Sequence, residues 1–252
     1  MQITVDISGQ AYRADLAKPL DIGIPLREGL ETVNCFYAPP METSPVVAGD
    51  FVGSTQQGGP LNFLNIKFNV HGNGTHTECV GHIAKERYTI NQSLQQFHFP
   101  ARLISLYPEK TAAGDRVVFR HQLEELLADT APTEALVLRT LPNDELKLRT
   151  NHSGANPPYL HHEAAAYLVE RGVEHLLLDL PSVDREEDGG ELAAHHTFWQ
   201  YPGPTRAHST ITELIYVNNS IPDGLYLLNI QIASFEIDAS PSKPVLYSLE
   251  PT

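Results

Sequence analysis

Leu64, Ile66, Phe68 and Val70 alternate with Asn65, Lys67, Asn69 and His71. A period of two sends successive side chains to opposite faces, so this run predicts a strand with one apolar and one polar face. His71 ends it on the polar side. Residues 101–107, 134–139, 175–180 and 225–232, short and rich in Leu, Ile, Val or Tyr, read as further strands. A helix is expected to open near Pro157-Pro158, carry Leu160, Ala164 and Leu168 at four-residue spacing, and stop at Gly172. Residues 121–128 read as a second helix. Strands and a few helices without strict alternation predict an α+β fold, a mixed β-sheet core with flanking helices. No repeat, low-complexity tract or linker interrupts the 252 residues, so residues 1–252 are read as a single domain.

Composition changes this picture little. Hydrophobic residues make up 41% and charged residues 19%, as in an ordinary globular protein. Charge changes it more. Seventeen basic against thirty-one acidic side chains leave 17 − 31 = −14, which repels phosphate backbones and anionic lipid, so neither nucleic acid nor membrane is expected as a partner. The first twenty residues lack a basic segment followed by an apolar one, and no apolar run approaches the ~18 residues that span a bilayer. A cytoplasmic location is expected. Cys35 and Cys79 are then expected as free thiols.

Twelve histidines are unusual, and their placement matters more than their number. The segment His71-Gly72-Asn73-Gly74-Thr75-His76-Thr77-Glu78-Cys79-Val80-Gly81-His82 holds three histidines and a glutamate. Neutral imidazoles with an ionised carboxylate form the usual ligand set for zinc, manganese or iron. Gly72, Gly74 and Gly81 permit a turn that aims several side chains at one point. His76 and Glu78 share one side if the stretch is extended. The competing reading is a polar loop satisfied by backbone hydrogen bonds.

Other catalytic patterns do not fit. His162-Glu163 lacks the second histidine of a helical zinc-protease motif, because position 166 is Ala166. No Gly-x-Ser-x-Gly occurs, Cys79 has no neighbouring cysteine, and Gly58-Gly59-Pro60 is a turn rather than a phosphate loop.

On these residues the sequence resembles the cyclase-like metal-dependent hydrolases, a superfamily that includes bacterial kynurenine formamidase and isatin hydrolase. Gly74-Thr75-His76 and His82 match the spacing of its hallmark His-x-Gly-Thr-His-x-Asp-x-Pro-x-His. Residues 21–26, 178–184 and 238–241 look similar as well. The hallmark's first histidine falls at Gly72, one residue after His71; its aspartate is Glu78 and its proline is Val80.

The resemblance implies a cyclase-like swivelling β/α fold and a metal site completed by His195, or its neighbour His196, and by Glu213. It implies one or two divalent ions per chain, zinc before manganese, held by His71, His76, Glu78, His82, His195 and Glu213. His82, His195 and Glu213 are the expected catalytic groups. The implied substrate is a small amide, cyclic amide or lactone, first of all N-formylkynurenine, and the implied assembly is a homo-oligomer, a dimer or tetramer. Phe198, Trp199 and Tyr201 could wall a flat substrate or equally serve ordinary core or interface packing, and Asp184 could orient a ligand histidine. The alternatives are an isatin-like hydrolase and a metal- or small-molecule-binding homologue without catalysis. A cupin-like dioxygenase fits poorly, since no His-x-His precedes a glutamate.

Overall fold

The apolar runs near 101–107, 134–139, 175–180 and 225–232 all become strands of one sheet. In the computed structural model, which describes residues 1–252, that sheet holds eight strands. In chain order they are β1 (Leu20–Asp21), β2 (His76–Cys79), β3 (His98–Leu106), β4 (Ala135–Thr140), β5 (His175–Leu178), β6 (Thr210–Glu213), β7 (Gly224–Ile232) and β8 (Ala239–Ser248). The lateral order is β7-β3-β4-β5-β6-β2-β8-β1, and β7 also pairs with β8. That pairing closes seven strands into a barrel, with β1 on an outer edge of β8.

Strands β3 to β6 run parallel, which requires a crossover after each. Helices supply them: α2 (Arg120–Leu127) after β3, α3 (His162–Glu170) after β4 and α4 (Ala193–Trp199) after β5, while α1 (Ile90–Ser93) lies between β2 and β3. The pleat then divides the core in two. Ala101, Leu103, Ala135, Val137 and Leu177 pack inside the barrel, whereas Ile104, Leu136, Leu138, Leu176 and Ile211 face outward against Leu123, Ala164, Leu168 and Phe198 of the helices. No helix is long and apolar enough to cross a membrane.

Two expectations need correction. The alternating run at 64–71 is a strand only over Leu64–Lys67, where it pairs with Glu42–Pro45 and stays exposed throughout. Alternation describes the pleat but not what covers it, and here nothing does. His71 therefore lies in the loop beyond. The helix expected from 157 begins at His162, because Tyr159–Leu160 is held extended against Arg116–Val118 and the His161 imidazole accepts the Glu163 amide as a cap. Leu160, Ala164 and Leu168 still share one buried core, and Gly172 closes the segment at φ +79°.

Candidate metal centre

Strands β2 (His-Thr-Glu-Cys) and β6 (Thr-Ile-Thr-Glu) are largely polar yet wholly buried. Their pleat explains how. Thr77 and Thr212 point into the barrel, where their hydroxyls meet at 2.8 Å, so His76, Glu78 and Glu213 must emerge together on the outer face. The antiparallel register sets Glu213 opposite His76, and β8 places Ala239 opposite Glu78, which brings Asp238 alongside. Thr75 pins the approach: its hydroxyl donates to the Leu214 carbonyl and accepts the Ile24 amide at 2.6 Å.

Loops deliver the remaining groups. Gly72 lets the loop carrying His71 lie against residues 35–38; a Cβ there would sit 2.3 Å from that of Ala38. The same packing need, not a left-handed turn, explains Gly81, whose Cβ would stand 2.3 Å from the Tyr88 carbonyl oxygen. The left-handed positions around the site belong instead to Phe36, Tyr37, Leu192 and Leu214, with φ between 45° and 55°. Bulky residues in that region are strained, and such strain gathers at functional sites. From the loop before α4, Asp184 accepts the Ala194 and His195 amides at 2.7 and 3.1 Å and the His195 Nδ1 at 2.6 Å.

All six expected ligands meet here, and a seventh joins them. His71 Nδ1 lies 3.1 Å from Glu78 Oε2, His76 Nε2 3.4 Å from Glu213 Oε2, His82 Nδ1 3.6 Å from Glu78 Oε2 and His195 Nε2 3.2 Å from Glu78 Oε1. The addition is Asp238, whose Oδ2 stands 3.0 Å from His71 Nε2 and 3.4 Å from His82 Nδ1. It lies in the 238–241 stretch that carries part of the family likeness, but no spacing rule ties it to residues far upstream. The histidine of the His195-His196 pair that faces the centre is His195; His196 turns its Nδ1 to the Tyr201 carbonyl at 2.6 Å.

Whether these residues fit a cation is decided by their unspent lone pairs. His76 Nδ1 donates to the Gly74 carbonyl and His195 Nδ1 to Asp184, which leaves each Nε2 a lone pair directed inward. His71 likewise spends Nε2 on Asp238. His71 Nδ1, His76 Nε2 and Glu78 Oε2 are buried and make no hydrogen bond, although each has an oppositely charged or polar neighbour within 3.4 Å. Buried polar atoms are rarely orphaned, and acceptors that converge without a proton between them are what a divalent ion requires. His71, His76 and Glu78 bring their ligand atoms within 4.8 Å of one another, as do Glu78, His82 and His195, and His71, His82 and Asp238. The donor set fits a divalent metal.

Without an ion the same cluster binds protons. Burial alone would push His71 and His195 down, but the adjoining carboxylates, Asp238 and Glu78 for His71 and Asp184 and Glu78 for His195, raise both from 6.5 to about 10. Burial would raise Glu78, yet His82, His195 and His71 hold it well below the usual carboxylate range. A histidine whose folded pKa exceeds its unfolded value contributes stability that is complete below about pH 6.5 and lost as pH climbs through about 10. Chelated protein should therefore melt at progressively lower temperature between those limits, while metal affinity rises as protons leave the ligands. Calorimetry across that range checks it. A flat melting temperature would mean that these ion pairs do not form.

At the centre opens a cavity of about 520 Å³ whose lining includes His71, His82, His195 and Glu213 together with Phe36, Tyr37 and Arg185. Of the two readings open for Phe198 and Trp199, substrate wall or core, the structure gives the core. Phe198 and Trp199 are completely buried, Trp199 stacking on His195 at 5.4 Å, and Tyr201 bonds to Glu86 away from the cavity. Phe36 and Tyr37 take the position at the cavity, on a loop with no periodic signal. Cys35 and Cys79 are free and buried, and burial pushes both thiols up.

The family model described as "Putative cyclase" matches residues 14–185, and the chain belongs to this cyclase family. Kynurenine formamidase of Bacillus thuringiensis (strain Al Hakam) is 28% identical over 200 residues, which cover 77% of this chain and 83% of that protein. Isatin hydrolase A of Labrenzia aggregata, solved with benzyl benzoate, shares the fold with a TM-score of 0.67 over 92% of this chain and 94% of its own, at 14% identity. A potential metal-dependent hydrolase with cyclase activity gives 0.64 over 93% and 99%, at 17% identity. The family match ends before His195 and Glu213, which only the barrel returns to the segment at 71–82.

Proposed function

We propose that this chain is a metal-dependent hydrolase of small aryl amides, an arylformamidase that converts N-formylkynurenine into kynurenine and formate. The centre holds one or two divalent ions, zinc before manganese, on His71, His76, Glu78, His82, His195 and Glu213, with Asp238 as a further ligand or orienting group. One observation carries the reading: buried, unbonded ligand atoms on His71, His76 and Glu78 converge beneath a cavity edged by two aromatic side chains. The likeness to kynurenine formamidases supports the amide as substrate.

When bound, a divalent ion acidifies a coordinated water toward pKa ~7 and draws charge from the carbonyl oxygen. The chain's own groups do the rest. Phe36 and Tyr37 offer faces for a flat ring. His82 is exposed at the rim, its Nδ1 3.4 Å from Asp238 Oδ2 and 3.6 Å from Glu78 Oε2, and can pass a proton to the leaving nitrogen. Asp184 fixes the His195 ring and Asp238 the His71 ring. Across the reaction one water is consumed, the carbon–nitrogen bond breaks, formate keeps the new oxygen and the nitrogen gains a proton.

The test is metal analysis of purified protein with N-formylkynurenine turnover followed before and after chelation, beside a panel of lactones and isatin-like amides. Activity that leaves with the ion and returns with it supports the reading. Turnover of the cyclic amides alone would move the assignment to an isatin-like hydrolase; full activity in metal-free buffer would remove the metal mechanism.

A further inference from the structure

The cavity carries one permanent cation, Arg185, and nothing in the hydrolytic scheme uses it. Its position is tightly set. It follows Asp184, which clamps His195, so the backbone of Arg185 is fixed relative to the centre. Its Nε is held by Asp115 at 3.3 Å, and Nη1 donates to the Glu187 carbonyl. Asp115 is itself braced by Asn156 Nδ2 at 2.9 Å and the Tyr159 hydroxyl at 3.4 Å. Nη2 has no partner within the chain, and the side chain is 40% exposed.

A guanidinium held from behind, with one amine of its fork unspent, is arranged for a planar anion. Two carboxylates beside it could in principle take that role away. Both are occupied. Glu186 accepts the Gly154 and Asn156 amides at 2.7 and 3.3 Å, and Asp188 accepts the Gly190 and Leu192 amides, each at 2.7 Å. In a chain of net charge −14, an anionic substrate needs a local cation of this kind to enter.

Resting on the amidohydrolase reading above, we infer that Arg185 anchors a carboxylate of the substrate, so that the enzyme selects aryl amides carrying a carboxylate remote from the scissile bond. This carboxylate keeps its charge through the reaction, so Arg185 binds ground and transition states alike and its loss appears in KM rather than kcat. Arg185 is a specificity residue that acts on substrate directly.

The experiment compares metal-loaded wild type, Arg185→Gln and Arg185→Lys on N-formylkynurenine and on its carboxamide, which differs only in the neutralised acid. Wild type should prefer the acid. Arg185→Gln should erase about 10- to 100-fold of that preference, the scale of a charge-assisted hydrogen bond, through KM. Arg185→Lys, which keeps the charge without the fork, should fall between and stands in if the glutamine variant does not fold. Equal losses on both substrates, or no loss on either, would overturn the inference. If wild type cleaves neither formamide, the functional reading fails separately, and calorimetric binding of benzoate against benzamide decides the matter of Arg185. Benzoate affinity that falls with Arg185→Gln at unchanged metal content upholds the anchor; affinity that stays the same removes it.

Discussion

Replacing His76 by alanine is expected to strip the centre of its ion and lower turnover by about 1,000-fold or more, the scale of removing stabilisation from a developing oxyanion. The reason lies in the strand. His76 is fully buried in β2 with Nδ1 committed to Gly74, so its free Nε2 lone pair has only Glu213 and the shared cation site to face. The change also opens a void beside Glu213 and takes the neighbour of its Oε2, leaving the buried carboxylate only the Val183 amide at Oε1, which destabilises the fold. Metal content by mass spectrometry, turnover and circular dichroism must therefore be measured on the same sample. A folded His76→Ala protein that retains both ion and activity would refute the centre as drawn.

How far this centre was legible depends on the distance over which each signal acts. The strands at the heart of the barrel were visible because β3, β4, β5 and β7 are apolar runs whose burial depends on hydrophobicity alone. The helix face Leu160, Ala164 and Leu168 was visible for the same reason, although its start was not, because Tyr159–Leu160 is claimed by pairing with a distant strand. Strands β2 and β6 carry threonine, histidine and glutamate, residues that normally mark loops and surface. Only closure of the barrel buries them. The cluster from His71 to His82 could be found because its members are close in sequence, whereas Asp238 is separated from His71 by 167 residues and joined to it by one strand pairing.

The one-residue offset of His71 from the family pattern shows the same division between local and tertiary causes. In sequence it looks like a misplaced ligand. In the fold, Gly72 packs against Ala38, Asp238 holds the ring from behind at 3.0 Å, and Nδ1 arrives 3.1 Å from Glu78. The loop rather than the strand sets its reach. Glu78, longer by a methylene than the family's aspartate, spans the other way: one oxygen faces His71 and His82, the other His195. The two departures compensate in a single contact.

Trp199→Ala should act on stability, and the size of that effect separates core from substrate wall. The indole is fully buried, its Nε1 donates to the Ser209 carbonyl at 2.9 Å, and its ring lies at 29° to that of His195. Truncating a buried aromatic costs about 3–5 kcal/mol, which for a chain of this size lowers the melting temperature by roughly 10 °C. Phe36→Gly should behave in the opposite way. Phe36 is 42% exposed and left-handed at φ 55°, so glycine relieves strain that offsets its extra freedom in the unfolded chain, and stability should change by less than about 1 kcal/mol. What it removes is the aromatic face at the cavity, and KM for an aryl substrate should rise. Thermal melts and steady-state kinetics on the two variants check this directly: a stable Trp199→Ala protein with raised KM, beside a Phe36→Gly protein with normal KM, would return the substrate wall to α4.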